Sequence, residues 1–213
     1  AAEHHRHVGG QLEDLPRLGS DWDEAPVRQS DRGAVYARAI AQLQDQGLIY
    51  ECTCTRRDIL AAPSAPHAPP GAYPGTCRSR TRAEQERAAQ DIAPRVPALR
   101  LRTPEGAIAP DFTDVMLGTV RGEIDDFVVR RGDGTVAYNL AVVVDDANQG
   151  VVQVVRGDDL ASSTPRQILL QQLLGVPTPE YAHVPLVLGP TGARLAKRDG
   201  AVTLADLRER GVT

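Results

Sequence analysis

Lysine is almost missing from this chain. Lys197 is the single lysine among 24 Lys and Arg in 213 residues, so arginine carries nearly all of the positive charge. A bias to Arg, Ala and Gly reads as genomic base composition and accounts for most of the shortage. It does not account for the one position that keeps an ammonium. Long apolar runs are missing too: nothing approaches the ~20 residues of a membrane-spanning helix, and the first residues, AAEHHRHVGG, contain no apolar signal segment. Both absences point to the cytoplasm and away from a membrane. There is no basic excess either. The net charge of −4 argues against a general nucleic-acid binder, whose phosphate neutralisation needs basic surface. Local patches remain, with CTRRD at 54–58 and CRSRTR at 77–82. No internal repeat occurs, and the length allows one large domain or two small ones with an ample core.

What is present reads as α/β. LGSDWDEAPVRQSDR forms a loop into a helix, with Ser30 as N-cap, Val35, Tyr36, Ala39, Ile40 and Leu43 on one face, and Gly47 at the stop. LIYECTC is a short strand entering a cysteine turn. Residues 61–75 are proline-rich and read as loop. Thr81 with Glu84 makes a capping box for a short polar helix, and ALRLR (98–102) alternates like a half-buried strand. FVVRRGDGTVAYNL carries a hairpin signal centred on Asp133-Gly134. The apolar runs AVVV (141–144), VVQVV (151–155) and VPLVLG (184–189) suit buried parallel strands. SSTPRQILLQQLLG offers Ser163 or Thr164 as N-cap, Pro165 in the first turn and Gly175 as the stop.

The three cysteines lie within 26 residues, at 52, 54 and 77. Clustered thiols in a cytosolic chain are more often metal ligands than disulfides, and Cys52 and Cys54 are too close in sequence for a relaxed bridge. Three free buried cysteines are the simpler alternative. A tetrahedral zinc needs a fourth ligand, and His67 or Tyr73 could supply it. Histidine is the commoner ligand, but the Pro-Gly turn in YPGTC could bring Tyr73 and Cys77 to one point.

With ECTC, YPGTCR, YNLAVVVDD, VVRGDDL and RLAKR in this order, the chain resembles the glutamyl-tRNA synthetase group over nearly its whole length. Within the group it looks most like the short branch that lacks an anticodon-binding domain, the glutamyl-Q tRNA(Asp) synthetases. That branch resembles Cys-x-Cys followed by Tyr-x-x-x-Cys, which fits Cys52, Cys54, Tyr73 and Cys77 as ligands of a structural zinc. Zinc-holding full-length relatives look like Cys-x-Cys followed by Cys-x-His, and no Cys-x-His occurs here. The fold implied is α/β, a class I synthetase Rossmann-type nucleotide fold split by an inserted zinc-containing mixed α/β subdomain. Residues 1–48 would be the remainder of its first half, 49–136 the insert, and 137–213 the second half with the ATP loop. The site would lie at the carboxyl ends of the parallel strands.

RLAKR resembles the family's lysine-serine loop, so Arg194, Leu195, Ala196, Lys197 and Arg198 would contact ATP, with Lys197 catalytic. A compact ammonium on a flexible stem can follow charge developing on the phosphates during in-line attack. Arg194 replaces the loop's first lysine and keeps its charge, whereas Ala196 replaces a serine and removes a hydroxyl donor. Tyr138 and Arg156 match the family's glutamate-binding residues, and an arginine at a strand end can grip a carboxylate bidentately. Asp145-Asp146 and Asp158-Asp159 look like acid/base pairs. Adjacent residues on a strand point to opposite faces, however, so capping and loop bonding suit them better. His183 reads as a satisfied structural histidine. Glu13 is better placed on a helix than as a ligand.

The family's Pro-Ser-Pro-Thr-Gly segment is absent from the chain, which starts without methionine inside an apparent helix. The expectation is that the segment lies before residue 1. The implied reaction is ATP- and Mg2+-dependent activation of glutamate and its transfer to queuosine in tRNA(Asp), by a cytoplasmic monomer. The competing readings are a catalytic fragment of glutamyl-tRNA synthetase that charges the tRNA 3′ end, and a non-catalytic RNA-binding remnant.

Overall fold

The structure is a computed structural model describing residues 12–62, 72–104, 110–189, 192 and 204–211. The chain divides into two compact units, one of residues Gln29–Pro185 and one of residues Ala1–Arg28 with Leu186–Thr213. In the second, residues 12–17 are helical and include Glu13, and Gly19 turns the chain at φ +80. Asp14 pairs at 2.6 Å with Arg208 of the helix Leu204–Glu209.

The larger unit holds two sheets. Strands β1 (Ile49–Cys52), β2 (Ala98–Leu101) and β5 (Val128–Arg130) form an antiparallel sheet in the order β1-β2-β5. Strands β3 (Phe112–Asp114), β4 (Gly118–Val120), β6 (Gln153–Gly157) and β7 (Glu180–Val184) form the other, in the order β4-β3-β7-β6. There β4 is antiparallel to β3, while β7 runs parallel to both β3 and β6. The β6–β7 crossover passes through a 3-10 turn (Asp158–Ser163) and a helix, which makes it a β-α-β unit. Asp158 and Asp159 lie in that turn.

Helix starts and stops follow local chemistry. Helix α1 (Gly33–Asp45) buries Tyr36, Ile40 and Leu43 on one face, and Gly47 at φ +71 ends it. It starts later than expected. Gln29–Asp31 is a 3-10 turn, Arg32 takes the N-cap position, and the Ser30 hydroxyl donates to Asp31 instead of capping. Helices α2 (Arg56–Ala61) and α3 (Arg82–Asp91) begin with capping boxes, Thr55 with Asp58 and Thr81 with Glu84. Helix α5 (Thr164–Leu174) has Ser163 at the N-cap, Pro165 in its first turn and Gly175 in the left-handed conformation at its end.

The largest departure from expectation is AVVV. It is not a strand but the middle of helix α4 (Tyr138–Asn148). An apolar run buried on several sides carries no period to separate helix from strand; the 11 residues of Tyr138–Asn148, free of Gly and Pro, have a length that suits a helix. Leu140, Ala141, Val143 and Val144 enter a core with Tyr36, Ile40 and Leu43 of α1, Leu99 and Leu101 of β2, Val129 of β5, and Leu169 and Leu170 of α5. VPLVLG is also displaced, since the strand there is EYAHV, which begins four residues earlier and ends at Val184. At the Asp133-Gly134 turn, Thr135 N–H donates to Asp133 Oδ1 at 2.9 Å, but the returning arm is only a bridge, Arg130 with Val136.

Gly132, beside that turn, is required for a different reason. A Cβ there would lie 2.3 Å from the Val96 carbonyl oxygen. Overpacking against fixed backbone typically costs ~1–3 kcal/mol. Gly132→Ala is therefore expected to lower the urea midpoint of unfolding by that equivalent. An unchanged midpoint would mean the segments separate freely. Among the described residues no helix is long and apolar enough to cross a membrane.

Candidate functional site

The cysteines converge. Cys52 closes β1, Cys54 follows two residues later, and Cys77 comes from the turn after Tyr73-Pro74-Gly75, with Gly75 at φ +81. The three Sγ atoms lie within 4.8 Å of one another, and Cys54 and Cys77 are 3.6 Å apart. The Tyr73 hydroxyl is 3.4 Å from Cys52 Sγ and 4.0 Å from Cys54 Sγ, and it accepts from the Cys77 backbone N–H at 2.8 Å. Thr53, between the first two cysteines, is clamped. Arg80 donates to its hydroxyl and Arg95 to its carbonyl.

This donor set fits a tetrahedral zinc. Sulfurs bound at about 2.3 Å to one such ion stand about 3.8 Å apart, close to the Cys54–Cys77 spacing. The ionisation pattern agrees. Hydrogen bonding from Cys52 holds the Cys77 thiol down to about 4, against the opposing effect of burial. Cys52 is pushed up, first by its bond to Cys77 and then by burial, and Cys54 first by burial. A divalent ion binds thiolates, so its binding would ionise the three thiols and release their protons. Burial likewise raises the Tyr73 phenol. The Arg100 guanidinium, itself buried, lies 3.7 Å from the Tyr73 ring centroid and donates to the Asp126 carbonyl.

A second polar centre forms where β6 and β7 pair side by side. Arg156 of β6 is the register partner of His183 of β7. Arg156 Nε donates to His183 Nε2 at 3.0 Å, and Arg156 Nη2 donates to the Thr164 hydroxyl at 2.8 Å. His183 Nδ1 lies 2.6 Å from Asp114 Oδ2. His183, Asp114 and Thr164 are all buried. Tyr138 is half exposed at the start of α4. The Arg156 guanidinium lies 5.3 Å from the centroid of the buried Tyr181 ring. Burial raises the half-buried Asp146 carboxyl, and the Arg156 cation opposes that.

Asp114 is held unusually acidic. Burial alone would raise it, but His183 and the backbone N–H groups of Leu117, His183 and Met116 outweigh burial and hold it at about 2. A carboxyl depressed in the folded state stabilises the fold above its ordinary value of 3.8, and that contribution is lost as pH falls toward about 2. Thermal melts of wild type and Asp114→Asn between those limits are expected to converge as the pH drops. Parallel curves would contradict the assignment.

Arg194, Leu195, Ala196, Lys197 and Arg198 lie outside the described residues, as does His67. Asp145 and Asp146 are on helix α4, not on a strand, so their separation follows the helical turn. Asp145 is buried and accepts from Gln29, from Arg32 at 2.6 Å and from the Tyr36 hydroxyl. Its position is structural, tying the entry of α1 to α4. Asp114 had no signal as the partner of His183, because β3 and β7 meet only in the parallel sheet; Thr164, eight residues after Arg156 at the start of α5, had none either. Arg100 was hidden by its strand, where a buried arginine breaks the alternation that ALRLR suggests.

Arg156 lies one residue from the end of β6, beside the β-α-β crossover, and the cysteine cluster is built at the end of β1 in the other sheet. Residues 2–212 match the family model for class I tRNA synthetases (E and Q), catalytic domain, and the chain belongs to that family. It is 59% identical over 204 residues to a glutamyl-Q tRNA(Asp) synthetase of Nocardia farcinica, covering 94% of this chain and 63% of that protein. It is 49% identical to the glutamyl-Q tRNA(Asp) synthetase of Symbiobacterium thermophilum, covering 97% of this chain and 68% of that protein. Among solved structures, a glutamate-tRNA synthetase from Elizabethkingia anophelis superposes with a TM-score of 0.64 at 27% identity, covering 83% of this chain and 38% of that one. The chain thus spans about two thirds or less of the length of these relatives.

Proposed function

We propose that this chain carries out ATP-dependent activation of glutamate and transfers it to the queuosine base of tRNA(Asp) in the cytoplasm. The observation that carries this reading is the convergence of Cys52, Cys54 and Cys77 beside the Tyr73 hydroxyl. The same Cys-x-Cys and Tyr-x-x-x-Cys spacing set the short branch apart in the sequence. The names of the relatives at 59% and 49% identity support it.

In this reading Arg156 binds the glutamate carboxylate that does not react, by charge-assisted hydrogen bonds, and the Tyr138 phenol orients the amino acid. The other carboxylate attacks the α-phosphate of ATP, forming a C–O–P bond as pyrophosphate leaves. Lys197, assigned by resemblance alone, lends its ammonium to the charge that develops on the phosphates. Mg2+ bound with ATP supplies further neutralisation. Cys52, Cys54, Cys77 and Tyr73 would hold a structural zinc that fixes the end of β1 to the Tyr73 turn.

The test is mass spectrometry of nucleosides from queuosine-containing tRNA(Asp) incubated with the chain, ATP, Mg2+ and glutamate. Queuosine gaining one glutamyl residue is the expected product. Glutamate found instead on the 3′-terminal adenosine would overturn the assignment in favour of conventional charging.

A further inference from the structure

The β6–β7 centre contains more than an arginine. Nothing in the glutamate reading calls for a buried histidine held on one side by a buried carboxylate and on the other by the arginine. The hydrogen-bond directions can be worked out from chemistry alone. A guanidinium is a donor only, so Arg156 Nε must donate and His183 Nε2 must accept. A neutral imidazole that accepts at Nε2 carries its proton on Nδ1, which faces Asp114 Oδ2 at 2.6 Å. Asp114 is itself immobile. Its Oδ1 accepts from the backbone N–H groups of Met116, Leu117 and His183 at 2.9, 3.0 and 3.1 Å. Those bonds tie the turn after β3 to the centre of β7.

The consequence falls on Arg156. Nε and Nη2 are both engaged, by His183 and Thr164. Nη1 makes no hydrogen bond among the described residues. A planar guanidinium held at Nε and Nη2 has its plane fixed, which leaves Nη1 as the nitrogen not used to hold the group. We infer that Asp114 and His183 are positioning residues: Asp114 fixes the Nδ1–H tautomer of His183, and His183 thereby fixes the orientation of the Arg156 guanidinium. The consequence for affinity rests on the proposal that Arg156 binds glutamate, whereas the tautomer and the arginine geometry do not.

The isosteric variant Asp114→Asn separates packing from positioning. Its side-chain amide keeps an oxygen for the three backbone N–H groups but turns an N–H donor toward His183 Nδ1. Nδ1 must then accept, the proton moves to Nε2, and two donors face each other across the Arg156 contact. His183→Gln places an amide oxygen near the former Nε2 and keeps an acceptor for Arg156. His183→Asn keeps a donor near Asp114 and loses that acceptor.

The experiment is 15N NMR of the histidine ring nitrogens and of the arginine Nε–H resonances, with glutamate titration of the same samples. In wild type we expect His183 protonated at Nδ1 and an Arg156 Nε–H protected from solvent exchange. In Asp114→Asn we expect protonation at Nε2 and loss of that protection. Glutamate affinity is expected to fall about tenfold to a hundredfold in Asp114→Asn and His183→Asn, with substantial recovery in His183→Gln. An Nε2–H tautomer in wild type, or an unprotected Arg156 Nε–H, would overturn the positioning role. A tautomer change that leaves affinity intact while Arg156→Ala abolishes binding would overturn it as well. If wild type binds no glutamate, the functional proposal falls, and the tautomer and exchange data still decide whether Asp114 and His183 hold Arg156.

Discussion

Cys77→Ser is expected to abolish metal binding and to loosen the segment that follows β1. Cys77 is fully buried and sits within the three-sulfur cluster, 3.6 Å from Cys54 Sγ. A serine hydroxyl does not ionise at neutral pH and is a poor match for zinc. Structural zinc sites contribute ~10–16 kcal/mol of binding free energy that is coupled to folding, so the effect is large. Metal analysis is expected to give about one zinc per wild-type chain and only background for Cys77→Ser. Chelator is expected to lower the wild-type melting temperature and leave the variant's unchanged. Tyr73→Phe, which keeps all three thiolates, is expected to retain zinc with weaker affinity. Equal zinc content in wild type and Cys77→Ser would exclude the site.

Arg156→Ala is the second large effect. The side chain joins β6 to His183 and Thr164. Truncating one member of a hydrogen-bonded charge pair typically costs ~2–5 kcal/mol, which corresponds to a loss in glutamate affinity of roughly 30-fold or more. Calorimetric titration of glutamate into wild type and variant measures it. Arg156→Lys is expected to recover little, because a point charge cannot replace the two bonds that orient the guanidinium. Unchanged affinity in Arg156→Ala would place the amino acid elsewhere.

What the sequence revealed and what it hid divide along the range of the interactions. The Thr81–Glu84 capping box, Gly47, Gly175 and the Asp133-Gly134 turn are local, and the structure shows them where their residues predict. The cysteine cluster was legible because thiols are rare in this chain and closely spaced. The AVVV run misled because burial on several sides erases the periodicity that separates helix from strand. The Asp114–His183–Arg156 arrangement was illegible for a different reason. Asp114 and His183 are 69 positions apart and meet only because β3 and β7 pair in parallel. His183 reads as satisfied and structural, and it is satisfied. Its partners give it a direction that no single stretch of sequence contains.

The most direct test of the whole account is glutamate-dependent exchange of pyrophosphate into ATP by this chain without tRNA, with Lys197→Ala and Arg156→Ala measured alongside. Exchange that requires glutamate and is lost in both variants is the expected result. Glutamate-dependent exchange that persists in Arg156→Ala would contradict it.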